Sequence, residues 1–242
     1  MRLTPINHGL THHSSETVAE KISPKTYEGD HTALTTPQRR WLIQKFPWLS
    51  LAAIRINQFM FSEKYQELLI PLYHPCLRVQ VGTLLRFYEQ MPKTTTDTAQ
   101  IAKQKSYTYW EQAAAENYSA RVCMPLSSLK LAVAPIRVAV VEDYMSAVRL
   151  GQYMPTIPLL GTNLNIGVLT CLSGNDTVFC LDGDATAKSV ALTQKYGLLF
   201  RSAMTIDLGD GADIKDMGDE EFSSFLIAKL DITTPPEGGM CG

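Results

Sequence analysis

The chain has 242 residues, enough for one large domain or two small ones with a real core. An apolar content of 45% with 19% charged residues reads as soluble and globular, and no apolar run nears the roughly 18–20 residues that a membrane span requires. The opening MRLTPINHGLTHHSS lacks the apolar stretch of a secretory leader. Cysteines 76, 123, 171, 180 and 241 have no CxxC spacing, so no zinc ribbon is encoded and no zinc is expected. Scattered thiols in odd number match a reducing cytoplasm. The net charge of −2 hides an asymmetry: residues 1–135 carry 15 Lys and Arg against 10 Asp and Glu, whereas residues 136–242 carry 7 against 14. A basic half suits an anionic polymer and an acidic half suits metal ions, although an uneven surface charge alone gives the same count.

Residues 1–30 are polar and without period, the pattern of a flexible N-terminal arm. TTPQRRWLIQKFP predicts a helix with Thr36 as N-cap, Pro37 in the first turn and Pro47 as the stop. A second short helical pattern follows in LSLAAIRINQ. FMFSEKYQELLIPLYHP and LRVQVGTLLRFYEQ are β-branched and aromatic enough to pair as strands. MPKTTTDTAQIAKQKSYTYWEQ is polar and basic and reads as a long loop, a length often tied to function.

The texture changes at residue 136. IRVAVVED is a β-branched run ending in acid, YMSAVRLGQY has helical spacing closed by Gly151, and TIPLLG and IGVLTCL are short apolar runs. TVFCLDGD is a second β-run ending in acid, followed by the helical ATAKSVALTQKYG. RSAMTIDLGDGAD is a third such run, and KDMGDEEFSSFLIAKL is a final amphipathic helix. Strands alternating with helices predict βαβ units and a parallel sheet.

Three strand-like runs therefore end in carboxylates: Glu142, then Asp182 and Asp184, then Asp207, Asp210 and Asp213. In an open parallel sheet the site lies beyond the carboxyl ends of the strands. Carboxylates gathered there repel unless a cation sits among them, and hard oxygen ligands favour Mg²⁺ or Mn²⁺. The glycine of Asp182-Gly183-Asp184 is expected to let the backbone bend between two projecting acids. Bland readings stand beside this one: Asp184 as the cap of the following helix, and residues 207–213 as an ordinary acidic loop.

The order VVEDYMSAVRLGQYMPTIPLLGT, then VFCLDGDATAKS, then DGADIKD resembles the Toprim domain of bacterial-type primases, topoisomerases and some nucleases. The matching positions are Glu142, Gly161–Thr162 and Asp182–Asp184, with Asp213 as a further acid and Asp216 as a lesser one. The upstream TTPQRRWLIQKF, IPLYHP and GTLLRFYEQMPK are similar to the rest of a primase catalytic core, and the glutamate motif is closer to phage primases than to topoisomerases. The resemblance implies an α/β fold in which a smaller α+β subdomain (residues 31–135) precedes a Toprim domain (136–232), a parallel sheet flanked by helices, with a tail at 233–242. It also implies a DNA primase that makes short RNA primers on a single-stranded DNA template. Ribonucleoside triphosphates would be its substrates, Mg²⁺ or Mn²⁺ its metal, and the cytoplasm, a host cell's for a phage enzyme, its compartment. Glu142, Asp182 and Asp184 would be catalytic and metal-binding, with Asp213 a fourth ligand, and Arg86, Lys93 and Lys105 would hold nucleic acid and phosphate. Tyr107, Tyr109 and Trp110 either stack bases or pack as a strand face. A primase zinc-binding domain and a helicase motif are missing from the sequence, so template selection and unwinding would fall to partner chains, among them a separate replicative helicase. A Toprim nuclease, or a non-catalytic protein of the replication complex, uses the same fold.

Overall fold

The structure, a computed structural model, describes residues 31–95, 106–129, 136–161 and 163–233. The expected arm at 1–30, Lys105, Thr162 and most of the tail lie outside these residues. No described helix is long and apolar enough to cross a membrane.

The first unit is an antiparallel meander of five strands in chain order: β1 His31–Ala33, β2 Met60–Ser62, β3 Glu67–Tyr73, β4 Gln80–Arg86 and β5 Tyr107–Trp110. β3 is buried at every position but its last, and β4 at all but its two ends. Helix α1 (Thr36–Lys45) packs here through Leu42, with Phe46 just past its end, and α2 (Leu51–Ile56) packs through Ala53 and Ile54. The cap of α1 is Thr35, one residue before the expected Thr36. Gln38 decides this: its backbone N–H donates to the Thr35 hydroxyl while its side-chain oxygen accepts the Thr35 N–H, a reciprocal capping box. β5 lies within the segment expected to be a loop. Its side chains alternate, Tyr107 half exposed and Tyr109 buried, which is the period of a strand with one face on the core.

Short helices α3 (Gln112–Glu116) and α4 (Leu126–Leu129) lead into the second unit. There β6 (Arg137–Val141), β7 (Thr156–Pro158), β8 (Asp176–Phe179) and β9 (Ser202–Thr205) form a wholly parallel sheet in the order β7-β6-β8-β9. Helices α5 (Tyr144–Leu150), α6 (Ile166–Leu172) and α7 (Thr186–Tyr196) make the crossovers, and α8 (Asp219–Leu230) follows β9. The run IGVLTCL is α6, started by the Asn165 side chain, which accepts the Val168 N–H. This is the α/β architecture expected, a parallel sheet flanked by helices behind an antiparallel α+β unit. Val122, Met124 and Leu129 pack with Val138, Val140 and Ile157 of the parallel sheet, so these residues already belong to that sheet's core.

Helix α5 joins the two units. All seven of its residues are buried, as expected of a helix with a partner on every side. Tyr144, Met145 and Val148 pack into the core beneath the antiparallel sheet, and the Tyr144 hydroxyl donates to the Pro71 carbonyl of β3 at 3.4 Å. Ala147 and Leu150 face the core of the parallel unit with Val178, Ile206 and Leu226. Ser146 and Arg149, one helical turn apart, face the loop between β9 and α8. Arg149 is 1% exposed. It donates to the carbonyls of Ile214 (3.0 Å) and Met217, pairs with Asp219 at 3.2 Å, and lies 4.2 Å from the Phe222 ring centroid. Trp48 Nε1 ties the first unit to the same loop by donating to the Lys215 carbonyl at 2.8 Å.

Arg149→Met keeps the bulk and removes every donor. Leaving two buried carbonyls unpaired costs about 1–3 kcal/mol each, so urea denaturation is expected to show a loss of about 3 kcal/mol. An unchanged midpoint would mean that the loop does not depend on this clamp.

Candidate metal centre

The sheet order creates the site. Strand β6 connects to β7 on one side, and the chain then crosses back to β8 on the other side of β6. The connections diverge between β6 and β8, which opens a crevice at their carboxyl ends. Glu142 and Asp143 directly follow β6, and Asp182 and Asp184 follow β8 after the buried Cys180 and Leu181. The loop after β9 returns to this crevice and adds Asp213.

Asp143, Asp182 and Asp213 each place an oxygen within 4.8 Å of the other two, and all three side chains are half-buried. Asp143 is the N-cap of α5: its Oδ1 accepts the N–H groups of Met145 (2.6 Å) and Ser146 (3.2 Å). The Ser146 hydroxyl lies 2.9 Å from Asp143 Oδ2 and 2.8 Å from Asp213 Oδ1, so two carboxylates share a single hydroxyl proton. Asp213 Oδ1 also accepts the Lys215 N–H at 3.1 Å. The Lys215 ammonium stands 2.9 Å from Asp143 Oδ2 and also contacts Asp213 Oδ2. Glu142 is half-buried beside Asp143, and its carbonyl accepts the Leu160 N–H at 3.0 Å. Asp184 is exposed. The cap of α7 is Ala185, with no side-chain capping bond, so Asp184 is not spent on the helix.

Gly183 has a different role from the one expected of it. Its φ is not positive, so bending is not what it supplies. Its N–H donates to the Ala212 carbonyl at 3.0 Å, and an added Cβ would meet the Gly209 carbonyl oxygen at 1.7 Å. Only glycine lets the strand end lie against the 209–212 backbone, and that contact brings Asp213 up to Asp182. Asp207, by contrast, is turned to local work: it accepts the Gly209 N–H (3.0 Å) and the Thr186 hydroxyl (3.1 Å), which hold its carboxyl below the usual range.

Burial raises the Asp182 carboxyl to about 6. Lys215 opposes the rise, and the charges of Asp143, Glu142 and Asp184 add to it. At 4.8 Å two carboxylates repel by about 3 kcal/mol in a medium of effective dielectric about 20. A dense set of hard oxygen donors with this much repulsion fits an oxygen-seeking divalent cation. Of the residues expected to be ligands, the structure joins Asp182 and Asp213 most closely, with Glu142 and Asp184 at the edge. Asp143, Ser146 and Lys215 were not anticipated. The acid doublet of VVED was the visible signal for Asp143.

The basic residues divide. Arg86, at the end of β4, lines a small crevice together with Asp143, Tyr144 and Met145, and its guanidinium lies 5.9 Å from the Tyr88 ring centroid. It thus stands next to the acids. Lys93 is half-buried and donates to the carbonyls of Gln66 (2.8 Å) and Tyr88 (2.9 Å), so two of its three N–H bonds are used internally. It offsets the charge of the buried Glu67, whose carboxyl burial raises to about 7. Tyr109 and Trp110 pack against the core, while Tyr107 is 52% exposed.

No family model matches this chain, and no curated protein matches it in sequence. Solved structures do match in fold. A DnaG primase catalytic domain bound to single-stranded DNA superposes with a TM-score of 0.59 at 18% identity, over 82% of this chain and 72% of that one. The zinc-binding and RNA polymerase domains of the Aquifex aeolicus primase give a TM-score of 0.53 at 12% identity, over 83% of this chain and half of that one. The chain therefore has the fold of a primase catalytic domain, with a Toprim-like parallel sheet.

The raised Asp182 carboxyl has a consequence for the metal-free protein. With a folded value of about 6 against 3.8 unfolded, the native state holds more protons than the unfolded one between these limits. Stability therefore falls as pH rises from about 4 to about 6 and stays low above. Asp182 is only half-buried, so screening leaves a change on the order of 1 kcal/mol. In EDTA, thermal melts of Asp182→Asn are expected to lose this slope and to show a higher Tm than wild type at pH 7. A lower Tm would show that the carboxylate is not strained.

Proposed function

We propose that this chain is the catalytic unit of a DNA primase, which polymerises ribonucleotides into short primers on a single-stranded DNA template. The observation that carries the reading is the meeting of Asp143, Asp182 and Asp213 at the switch point of the parallel sheet, on the fold of a primase catalytic domain. That the DnaG neighbour is bound to single-stranded DNA supports the choice of template.

Asp182, with Glu142, Asp184 and Asp213, would hold Mg²⁺ or Mn²⁺. When bound, such an ion polarises the α-phosphate of an incoming ribonucleoside triphosphate and neutralises charge on the entering and leaving oxygens. Glu142 stands at the rim, where a carboxylate accepts the proton of the attacking 3′-hydroxyl in addition to any ligand role. Arg86 offers a planar donor fork beside the acids, suited to an outer phosphate oxygen. The ends of β6 and β8 set where the carboxylates start from. Exposed Tyr107 offers a face for an unpaired base, and Lys105, outside the described residues, is proposed as a template contact on the sequence alone. Unwinding would belong to a separate replicative helicase, and the setting would be DNA replication in the cytoplasm, with the VVED motif pointing to a phage system.

The test is incubation of the protein with single-stranded DNA, ribonucleotides and Mg²⁺ or Mn²⁺. Labelled oligoribonucleotides are expected from wild type. The double variant Asp182→Asn, Asp184→Asn is expected to lower synthesis by at least about a thousandfold while staying folded, an effect of the size seen when a central electrostatic group is removed. Arg86→Ala is expected to raise KM for the nucleotide more than it lowers kcat. Cleavage of the DNA strand without synthesis would overturn the primase reading in favour of a nuclease.

A further inference from the structure

A groove of about 810 Å³ opens on the first unit, and none of its residues belongs to the metal centre. The volume falls in the range of about 300–1,000 Å³ that ligand pockets span. Its walls are apolar. Leu34 precedes α1, Ile43 lies on α1, Leu51 and Ile54 lie on α2, and Phe59 and Met60 stand where β2 begins. Leu51 is 55% exposed, a large apolar side chain left in water at the edge of the groove. A contiguous apolar surface of this kind marks a place where something binds.

Three features narrow what that is. The charges all have one sign: Arg39, Arg40 and Arg55 line the groove and are exposed, and no Asp or Glu lines it. Among the described residues none of these arginines forms an ion pair; Arg39 donates to the Thr36 hydroxyl at 3.3 Å. The second feature is a strand edge. His31, Thr32, Ala33 and Leu34 all line the groove, and because successive strand side chains point to opposite faces, the backbone of β1 itself runs along it. β1 is the outermost strand of its sheet, paired with β2 on one side alone and exposed at every residue, so its outer edge offers unpaired main-chain groups. The third feature weighs against nucleic acid. A single strand is held by exposed rings on which its bases stack; of Phe, Tyr and Trp, the lining holds Phe59, which is buried.

We propose that this groove is a docking site for an extended segment of a partner protein, one in which apolar side chains alternate with Asp or Glu. The segment lies along β1 and adds to its free edge by main-chain hydrogen bonds. Its apolar side chains fill the space between β1 and the two helices, and its carboxylates meet the arginines, whose planar forks suit them. A basic segment finds no acid here, and a purely apolar one leaves three positive charges unused. The inference goes beyond the catalytic reading and does not depend on it, because the groove and the metal centre share no residue.

Fluorescence polarisation on the full-length protein tests this. The labelled probes are a short peptide of alternating Asp and Leu, the same peptide with Lys in place of Asp, and oligothymidylate. The Asp–Leu peptide is expected to bind saturably, and more weakly as salt rises, while the Lys–Leu peptide is expected not to bind. Arg40→Glu combined with Arg55→Glu is expected to weaken the Asp–Leu peptide by at least about tenfold. Leu51→Ser, at an exposed position, is expected to weaken it too, and all these variants are expected to keep the primer synthesis of wild type. Thermal melts establish that each variant is folded, and Arg40→Ala with Arg55→Ala provides a second pair that introduces no new charge. No binding of the Asp–Leu peptide, or binding that none of these substitutions weakens, would overturn the proposal. Oligothymidylate held by the same arginines in place of the peptide would overturn it in favour of a nucleic-acid groove. A dimer of the chain that Leu51→Ser dissociates would overturn it in favour of a second copy.

Discussion

Repulsion among carboxylates at the ends of two neighbouring parallel strands is the constraint on which the rest of the molecule depends. Asp143, Asp182 and Asp213 converge on one crevice, with Glu142 and Asp184 near enough to act on Asp182 through their charge, and burial with crowding already pushes Asp182 to about 6. An arrangement of this kind persists only if other contacts hold it. Here they do: Asp143 is tied down as a helix cap, Ser146 bridges two of the acids, Lys215 supplies an internal positive charge, and Gly183 lets two backbones close to contact. Each of these is a small stabilising term, and each is aimed at the same few ångströms.

The scaffold explains why the crevice stays put. Helix α5 begins at the acids and is buried along its whole length, with one face under the antiparallel sheet, one on the parallel sheet and one on the acidic loop. A displacement of either unit would move the start of α5, and Asp143 with it. The two units thus act as jaws around a common helix. The acids lie on the parallel-sheet side, and Arg86, at the end of β4, approaches from the antiparallel side. Charge of opposite sign faces the crevice from opposite units, as the asymmetry between the two halves of the chain foreshadows.

Much of this was legible in the chain alone, and the parts that were not share a cause. β-branched runs ending in acid and separated by helical spacing identify βαβ units, and the acids then fall at strand ends by geometry. Asp182 and Asp213 were found this way. Asp143 is hidden in the sequence because Glu142 beside it fills the same strand-end position, and only the helix cap shows which way its carboxylate turns. Lys215 lies 72 residues from Asp143 along the chain, and no spacing rule links them. Gly183 is visible as a glycine between two acids, but the reason for it is a backbone from elsewhere. Strand β5 was hidden in a polar stretch because an edge strand needs only one apolar face. What sequence patterns miss here is contact between distant segments, and the metal centre is built from such contacts.

The most direct test of the central claim, that this crevice is a divalent cation site, is crystallography of the protein grown with Mn²⁺ and measured at the manganese absorption edge. The account predicts an anomalous peak within ordinary oxygen-ligand distance, about 2.0–2.2 Å, of an Asp182 carboxylate oxygen, at the carboxyl ends of β6 and β8. A map with no peak there, or with peaks only on surface acids such as Asp207 and Asp210, would contradict it.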